Sequence, residues 1–307
     1  MIELPSLNRQ EQIQRFKERG MQFKNEKAAE EKLKHISYYR LKEYAFPLSF
    51  YKDGHTDYHG IYFSEVLARY YQDKNLRIYL LHAIEKIEIS LKTNIGYILG
   101  EKYGPYGYLK FANWVNRQRY GRDEVEEREI FLKKNLRKIM RKSQLASLSR
   151  AGNINEEGYP SVWLGVDLLM FGDLVSIVQM MNQKSLRELA DYYQCTTGEL
   201  ISWLKCLNFV RNVCAHHSNL IDLTLKTRAK SRSEWNLFLA DVRSGQKPTN
   251  RFSVIFLIVH HFVSVINVKY NWSRIVHCIC SLSVSDSRAR LLGFKNKETS
   301  KKLYSDL

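Results

Sequence analysis

Apolar residues recur at helical spacing along most of this chain, and the strict alternation of a half-buried strand is nearly absent. The pattern therefore predicts an all-α fold. Its longest stripe runs from Phe63 to Leu99 through Val66, Leu67, Tyr70, Leu76, Tyr79, Leu80, Ile84, Ile87, Leu91, Ile95 and Ile98. Those positions follow a period near 3.6. The polar run Gln72 to Asn75 is expected to split the stretch into two helices. Upstream, Ser6 to Arg19 reads as a helix with Ile13 and Phe16 on one face and Gly20 as its stop. Asn25 is placed to cap a second helix through about His35. Pro47 and the polar run Lys52 to Gly60 predict an extended loop or short hairpin.

Downstream, Ser161 to Met181 predicts a helix or helix pair interrupted at Gly172, and Ser185 to Tyr193 a short helix. Thr196 and Glu199 have the spacing of a capping box. They start a helix whose core stripe is Leu200, Leu204, Leu207, Val210 and Cys214. Trp235 to Val242 reads as another helix, followed by a loop through Pro248. Phe252 to Val268 is the most apolar stretch, but it falls short of the roughly 20 apolar residues of a membrane span. It is read as a buried helix, with His260 and His261 as core or boundary histidines.

Three regions follow. Residues 1–60 form an N-terminal helical region, 61–282 a helical domain with a charged insertion at about 100–160, and 283–307 a basic tail. Leu291-Leu292-Gly293-Phe294 in that tail reads as a docking turn. Gly100, Gly104, Pro105 and Gly107 open the insertion and Gly152 to Pro160 closes it. Between them lie Arg117, Arg119, Arg122, Lys133, Lys134, Arg137, Lys138, Arg141 and Lys142 with few apolar anchors. Either this is a surface for a polyanion, or it is an exposed helix laced with Glu124, Glu126, Glu127 and Glu129.

The charge of the whole chain speaks about its partners. Lysine and arginine number 48 against 32 acidic residues, a net +16 that points to nucleic acid as the partner class. Nineteen tyrosines and five tryptophans add planar groups able to stack on unpaired bases. The five cysteines are an odd, scattered set, and Met1 to Gly20 is polar and charged, unlike a secretory signal. Reduced thiols and a cytoplasmic protein are expected, with no membrane contact. Cys278-Ile279-Cys280 beside His277 lacks the paired spacing of a zinc site, so no metal and no cofactor is expected.

Candidate chemistry concentrates in Leu207 to His217, where a mainly apolar helical run presents Arg211, Asn212, His216 and His217. Asn212 and His216 are four apart and share a helix face. Arg211 lies roughly 100° round, with a side chain long enough to reach back. A fixed cation, an amide and an imidazole suit a phosphodiester: the cation holds phosphate and its developing charge, and the imidazole moves a proton. The alternative is a helix whose polar residues cap and bridge to neighbours.

Arg211-Asn212-Val213-Cys214-Ala215-His216 resembles the arginine, polar residue, three variable positions, histidine motif of the HEPN superfamily of all-α RNA-cleaving and RNA-binding domains. The wider chain resembles the Abi family (Abi-D/Abi-F type) of bacterial abortive-infection proteins over most of residues 1–295. The stretches that carry this are Gln12-Ile13 to Arg19-Gly20-Met21 and Ile36-Ser37-Tyr38-Tyr39-Arg40-Leu41. Two more are Ala83-Ile84-Glu85-Lys86-Ile87-Glu88-Ile89 and Phe171-Gly172-Asp173-Leu174. The resemblance implies a HEPN-like helical bundle with added N-terminal helices and a charged insertion. It also implies a metal-independent endoribonuclease of anti-phage defence, working as a homodimer because one chain carries a single motif copy.

In that reading His216 is general base or acid, Arg211 stabilises the phosphoryl oxygens, and Asn212 orients either. His217 is accessory, and Glu88 positions Arg211 from a facing helix. Arg40 and the basic residues of 117–142 bind RNA. A second reading is a non-catalytic RNA-binding protein, held in complex with a structured small RNA. A third is a helical protein in which Arg211 and His216 are bonded within the core.

Overall fold

Residues 6–52, 54–150, 152–240 and 249–303 are described by a computed structural model. Among them are thirteen α-helices and one two-stranded hairpin, so the chain is all-α. The N-terminal helices are α1 (Arg9–Glu18), α2 (Glu26–Leu33) and α3 (Tyr38–Ala45). Asn8 caps α1 in a capping box with Glu11, and the Asn25 side chain accepts from Ala28 N–H at the start of α2. The hairpin pairs β1 (Phe50–Lys52) antiparallel with β2 (His55–Asp57), as the polar run predicts.

The central element is α4 (Phe63–Tyr103), 41 residues or about 60 Å of helix. Around it lie α5 (Arg122–Met140), α6 (Val162–Leu168), α7 (Phe171–Met180), α8 (Gln183–Tyr192) and α9 (Thr197–Ala215). They are followed by α10 (Phe252–Ile266), α11 (Ser273–Leu282), α12 (Asp286–Leu292) and α13 (Lys297–Lys302). Helices α3, α6 to α9, α10 and α11 all pack on α4. Its stripe Val66, Leu76, Leu80, Ile84, Ile87, Leu91 and Ile95 is fully buried among them. Where α6 crosses, Gly100 leaves room for the Trp163 ring, which a Cβ there would meet at 2.7 Å.

The expected break at Gln72–Asn75 is absent, and α4 runs through it unbroken. The reason is that Asp73 is not a solvated residue: it is wholly buried and fully engaged, as described below. The interruption expected at Gly172 falls instead at Leu169–Met170. Asp173 caps α7 there by accepting from Met170 N–H at 3.1 Å, and Gly172 sits in the first turn. Trp235 begins no long helix. It lies in a single 3-10 turn, Ser233–Leu237, and residues 241–248 of the expected helix and loop lie outside the described residues. The polar C-terminal stretch folds into α12 and α13, and Phe294 of the docking turn is completely buried. Among the described residues no helix is long and apolar enough to cross a membrane.

The direction of α9 fixes the site. Ser90 on α4 meets the Tyr193 hydroxyl at 3.0 Å just before α9 begins. Asp73 on α4 accepts from the backbone N–H groups of Leu220 and Ile221, just after α9 ends, at 2.9 and 3.1 Å. Helix α9 therefore runs antiparallel to α4, with its C-terminal end over the first third of that helix.

Candidate functional site

Helix α9 starts where the sequence predicts: Thr196 accepts from Glu199 N–H at 3.2 Å, and the Glu199 carboxylate accepts from Thr196 N–H at 2.8 Å. It ends inside the arginine–histidine motif. His216 is the C-cap, and His217 follows in the left-handed region at φ 58°. His217 N–H donates to the Cys214 carbonyl at 3.3 Å and Ser218 N–H to the Val213 carbonyl at 3.0 Å. This is a Schellman termination with histidine where glycine is usual. A β-carbon in that conformation costs about 1–2 kcal/mol, which the surrounding contacts must hold. One of those contacts is Arg40 on α3, whose guanidinium donates to the His217 carbonyl across 177 positions of sequence. Arg40 is thus brought to the same helix end as the motif.

The motif side chains are unengaged. Among the described residues Arg211, Asn212 and His216 make no side-chain hydrogen bond or ion pair with the protein. Asn212 and His216 are exposed and share one stripe with Lys205 and Phe209, the last 47% exposed. Arg211 is half-buried and lies about 140° round the helix from His216, on the flank of Asn208. The structure therefore places Arg211 and His216 at one helix end without putting them on one face. Asn208 in turn backs onto Gly172 at the start of α7.

Beneath this helix end is a buried ionic network that sequence reading did not single out. Asp73 accepts from the Tyr44 hydroxyl of α3 besides the two backbone N–H groups, and it forms an ion pair with Arg77, whose Nε lies 2.9 Å away. One turn earlier Arg69 pairs with Asp222, whose other oxygen accepts from Asn219 at 2.7 Å. The network ties α3, α4 and the segment leaving α9 to one another. Burial raises the Asp73 carboxyl against the opposing pull of Tyr44, Arg77 and the two N–H groups. The available signal was that Arg69, Asp73 and Arg77, four apart in sequence, fall on the apolar face of α4.

Glu88 does not reach Arg211. It lies fifteen residues beyond Asp73, about 22 Å along α4, whereas Arg211 is only nine residues before Leu220. Its carboxylate pairs with Lys92 at 3.5 Å. The expectation that Glu88 positions Arg211 is corrected by the antiparallel packing.

The charged insertion divides in two. Over Arg122 to Lys133 of α5 the glutamates take up cations: Arg122 pairs with Glu126, Arg128 with Glu124, and Lys133 with Glu129. Arg117 and Arg119 precede α5, and Arg119 lies over the Tyr120 ring. In the second half Lys134, Arg137, Lys138, Arg141 and Lys142, with Lys133, line a surface groove of about 650 Å3 that contains no carboxylate. Arg137 lies over the buried Tyr159 ring at 4.7 Å. Helix α5 is linked to α7 by Asn135, which donates to Asp173 at 3.1 Å, and so indirectly to Asn208 and α9.

His260 and His261 are both partly buried against aromatic rings. Among the described residues no cluster of histidine, cysteine, aspartate or glutamate could hold a metal ion. All five cysteines are free thiols, and burial pushes Cys206 and Cys214 up to about 12.

No curated protein and no solved structure matches the chain. The model of the Abi-like protein family matches residues 31–222. That span begins in α2, includes Arg40, the whole ionic network and α9, and stops at Asp222, the partner of Arg69. The match covers more than half of the sequence, and the chain belongs to the Abi-like protein family.

Proposed function

We propose that this chain is an endoribonuclease of bacterial abortive-infection defence against phage, with Arg211, Asn212 and His216 as a HEPN-type catalytic set. The observation that carries the reading is the state of these residues: a cation, an amide and an imidazole at the end of a core helix, none of them bonded to the protein. A purely structural role would leave them engaged. Family membership is compatible with the reading.

The chemistry needs only what the RNA and these side chains supply. The ribose 2′-hydroxyl attacks its adjacent phosphorus, forming the P–O2′ bond as the P–O5′ bond breaks. His216 takes the hydroxyl proton or delivers one to the leaving 5′ oxygen. Arg211 faces the charge that develops on the phosphoryl oxygens. The products are a 2′,3′-cyclic phosphate and a 5′-hydroxyl. DNA, lacking the internal nucleophile, is not cut. Because Arg211 and His216 diverge around α9, a second copy of the chain completes the site across a two-fold axis. Exposed Phe209, on the His216 stripe, lies in that contact. We place the activity in the cytoplasm, where the free thiols stay reduced.

A second reading is favoured by the carboxylate-free groove on α5. It suits backbone phosphate without base readout, as expected of a non-catalytic RNA binder or of a protein restrained by a structured small RNA. One experiment separates the two. Purified protein, Arg211→Ala and His216→Ala are incubated with mixed RNA in EDTA, with circular dichroism as the folding check. Cleavage by the wild type alone, leaving cyclic phosphate ends, is the expected result. Salt-sensitive binding without cleavage supports the second reading.

A further inference from the structure

The geometry points to a nucleotide subsite at the N-terminal end of α3, where Tyr39 stacks on an unpaired base of RNA and Arg40 holds the adjoining phosphate against the end of α9. It rests on the RNA-cleaving reading but assigns a site that reading does not contain. The first observation is that the Arg40 guanidinium is committed to the helix end by a single bond, to the His217 carbonyl. Its remaining N–H donors have no carboxylate partner among the described residues. An arginine held there by one backbone contact is fixed in place and still able to grip phosphate in a bidentate manner.

The second observation is Tyr39, the preceding residue, whose side chain is 69% exposed. Its ring is propped edgewise by Tyr38, with centroids 5.5 Å apart, and Tyr38 leans on the fully buried Phe16 at 4.6 Å. The exposed ring is therefore backed by the core and leaves its open face to solvent. A flat aromatic face beside a cation is what a splayed base requires, and a duplex cannot offer its bases to it.

The third is the groove that Tyr39 borders. It lies between α1, α2 and α3, has a volume of about 750 Å3, and is lined in part by Arg9, Gln12, Lys34 and His35. That volume is within the ~300–1,000 Å3 of small-molecule sites and exceeds the needs of one nucleotide. Two carboxylates lie at its edge: Glu31, which accepts from Lys34 and feels both His35 and Arg9, and Glu11, which accepts from Asn8 N–H at 2.6 Å. Arg9 and His35 have no ion pair among the described residues. Arg9 therefore leaves a cation free in the groove, and Tyr39 at its border adjoins Arg40 in sequence.

The test uses a single-stranded oligoribonucleotide of about ten residues carrying one 2-aminopurine, whose fluorescence falls when it stacks. It is bound by the full chain carrying His216→Ala, so that the strand stays intact, with and without a change at position 39 or 40. Tyr39→Ala is expected to weaken binding about tenfold or more and to abolish the quenching, while Tyr39→Phe keeps both. Arg40→Ala is expected to lower the salt dependence of binding by about one counterion, with Arg40→Lys restoring it. Cleavage by the unaltered chain is measured in parallel. If that chain cleaves RNA and Tyr39→Ala binds and quenches like its parent, the subsite is overturned and the catalytic reading stands. If the parent binds no RNA at all, both are overturned.

Discussion

The two ends of α9 carry the same residue types in opposite states. At its N-terminal end Arg232 donates to Glu199 at 2.9 Å and to the Gln194 carbonyl at 2.7 Å, and it stacks over the buried Trp203 ring. His261 completes that cluster, with Nε2 on the Tyr193 carbonyl at 2.8 Å and Nδ1 facing Arg232 at 3.4 Å. Every strong donor and acceptor there is spent within the protein. At the C-terminal end Arg211, Asn212 and His216 spend none of theirs. An arginine and a histidine brought together are therefore no sign of a site by themselves. What distinguishes a place for a ligand is hydrogen-bonding capacity that folding leaves unused.

The largest expected effect breaks the comparison at its open end. His216→Ala should reduce RNA cleavage by about 10²- to 10⁴-fold, the range of general acid–base catalysis, read from cyclic phosphate ends in a timed digest. Arg211→Ala should cost a similar factor while shifting the unfolding free energy by no more than about 0.5 kcal/mol in urea, as for a residue with no partner to lose. Loss of fold in both variants would remove the distinction between the two ends.

Next in size is Asp73→Ala, which attacks the support beneath the open end. It strands the Tyr44 hydroxyl, Arg77 and two backbone N–H groups in a buried site. Removing one member of such a cluster costs about 3–5 kcal/mol, measurable as a lower urea midpoint. A smaller change is Arg232→Ala at the closed end, expected to cost about 2–3 kcal/mol through lost charge-assisted bonds and stacking. Cleavage measured below the shifted transition should survive it. That inverse pairing of stability and activity is the sharpest form of the comparison.

Much of this was legible in the sequence, for identifiable reasons. The caps at Asn25 and Thr196 are local, and a side chain three residues from its partner is fixed by spacing alone. The α4 stripe follows from periodicity. The run Gln72–Asn75 misled because polarity was taken for exposure, when Asp73 is polar and wholly buried. Its partners Tyr44, Leu220 and Ile221 are 29 to 148 positions away, and no local pattern encodes them. Of the candidate site, the shared stripe of Asn212 and His216 could be read from spacing. The divergence of Arg211 follows from five residues of helix, whereas the Arg40 contact and the distance from Glu88 depend on how helices pack. The basic run of α5 was read as either a polyanion surface or a self-paired helix; its early cations are self-paired, and its later ones line a groove without a carboxylate.

The smallest effect concerns pH and belongs to the closed end. His261 is held below its ordinary value chiefly by burial, with the Arg232 charge acting in the same direction and the Tyr193 carbonyl opposing both. A histidine depressed in the folded state keeps its contribution to stability above its unfolded pKa. It loses that contribution as pH falls, because the unfolded chain takes up a proton that the folded one refuses. Unfolding midpoints should therefore decline as pH is lowered from about 6.5 toward the depressed folded value. Replacing His261 with glutamine, which cannot titrate, should flatten that part of the profile. His216→Gln at the open end should instead abolish cleavage while leaving the unfolding midpoint in urea close to that of the parent. A stability profile unchanged by His261→Gln would mean that the cluster at the start of α9 opens to solvent, and the contrast between the two helix ends would be lost.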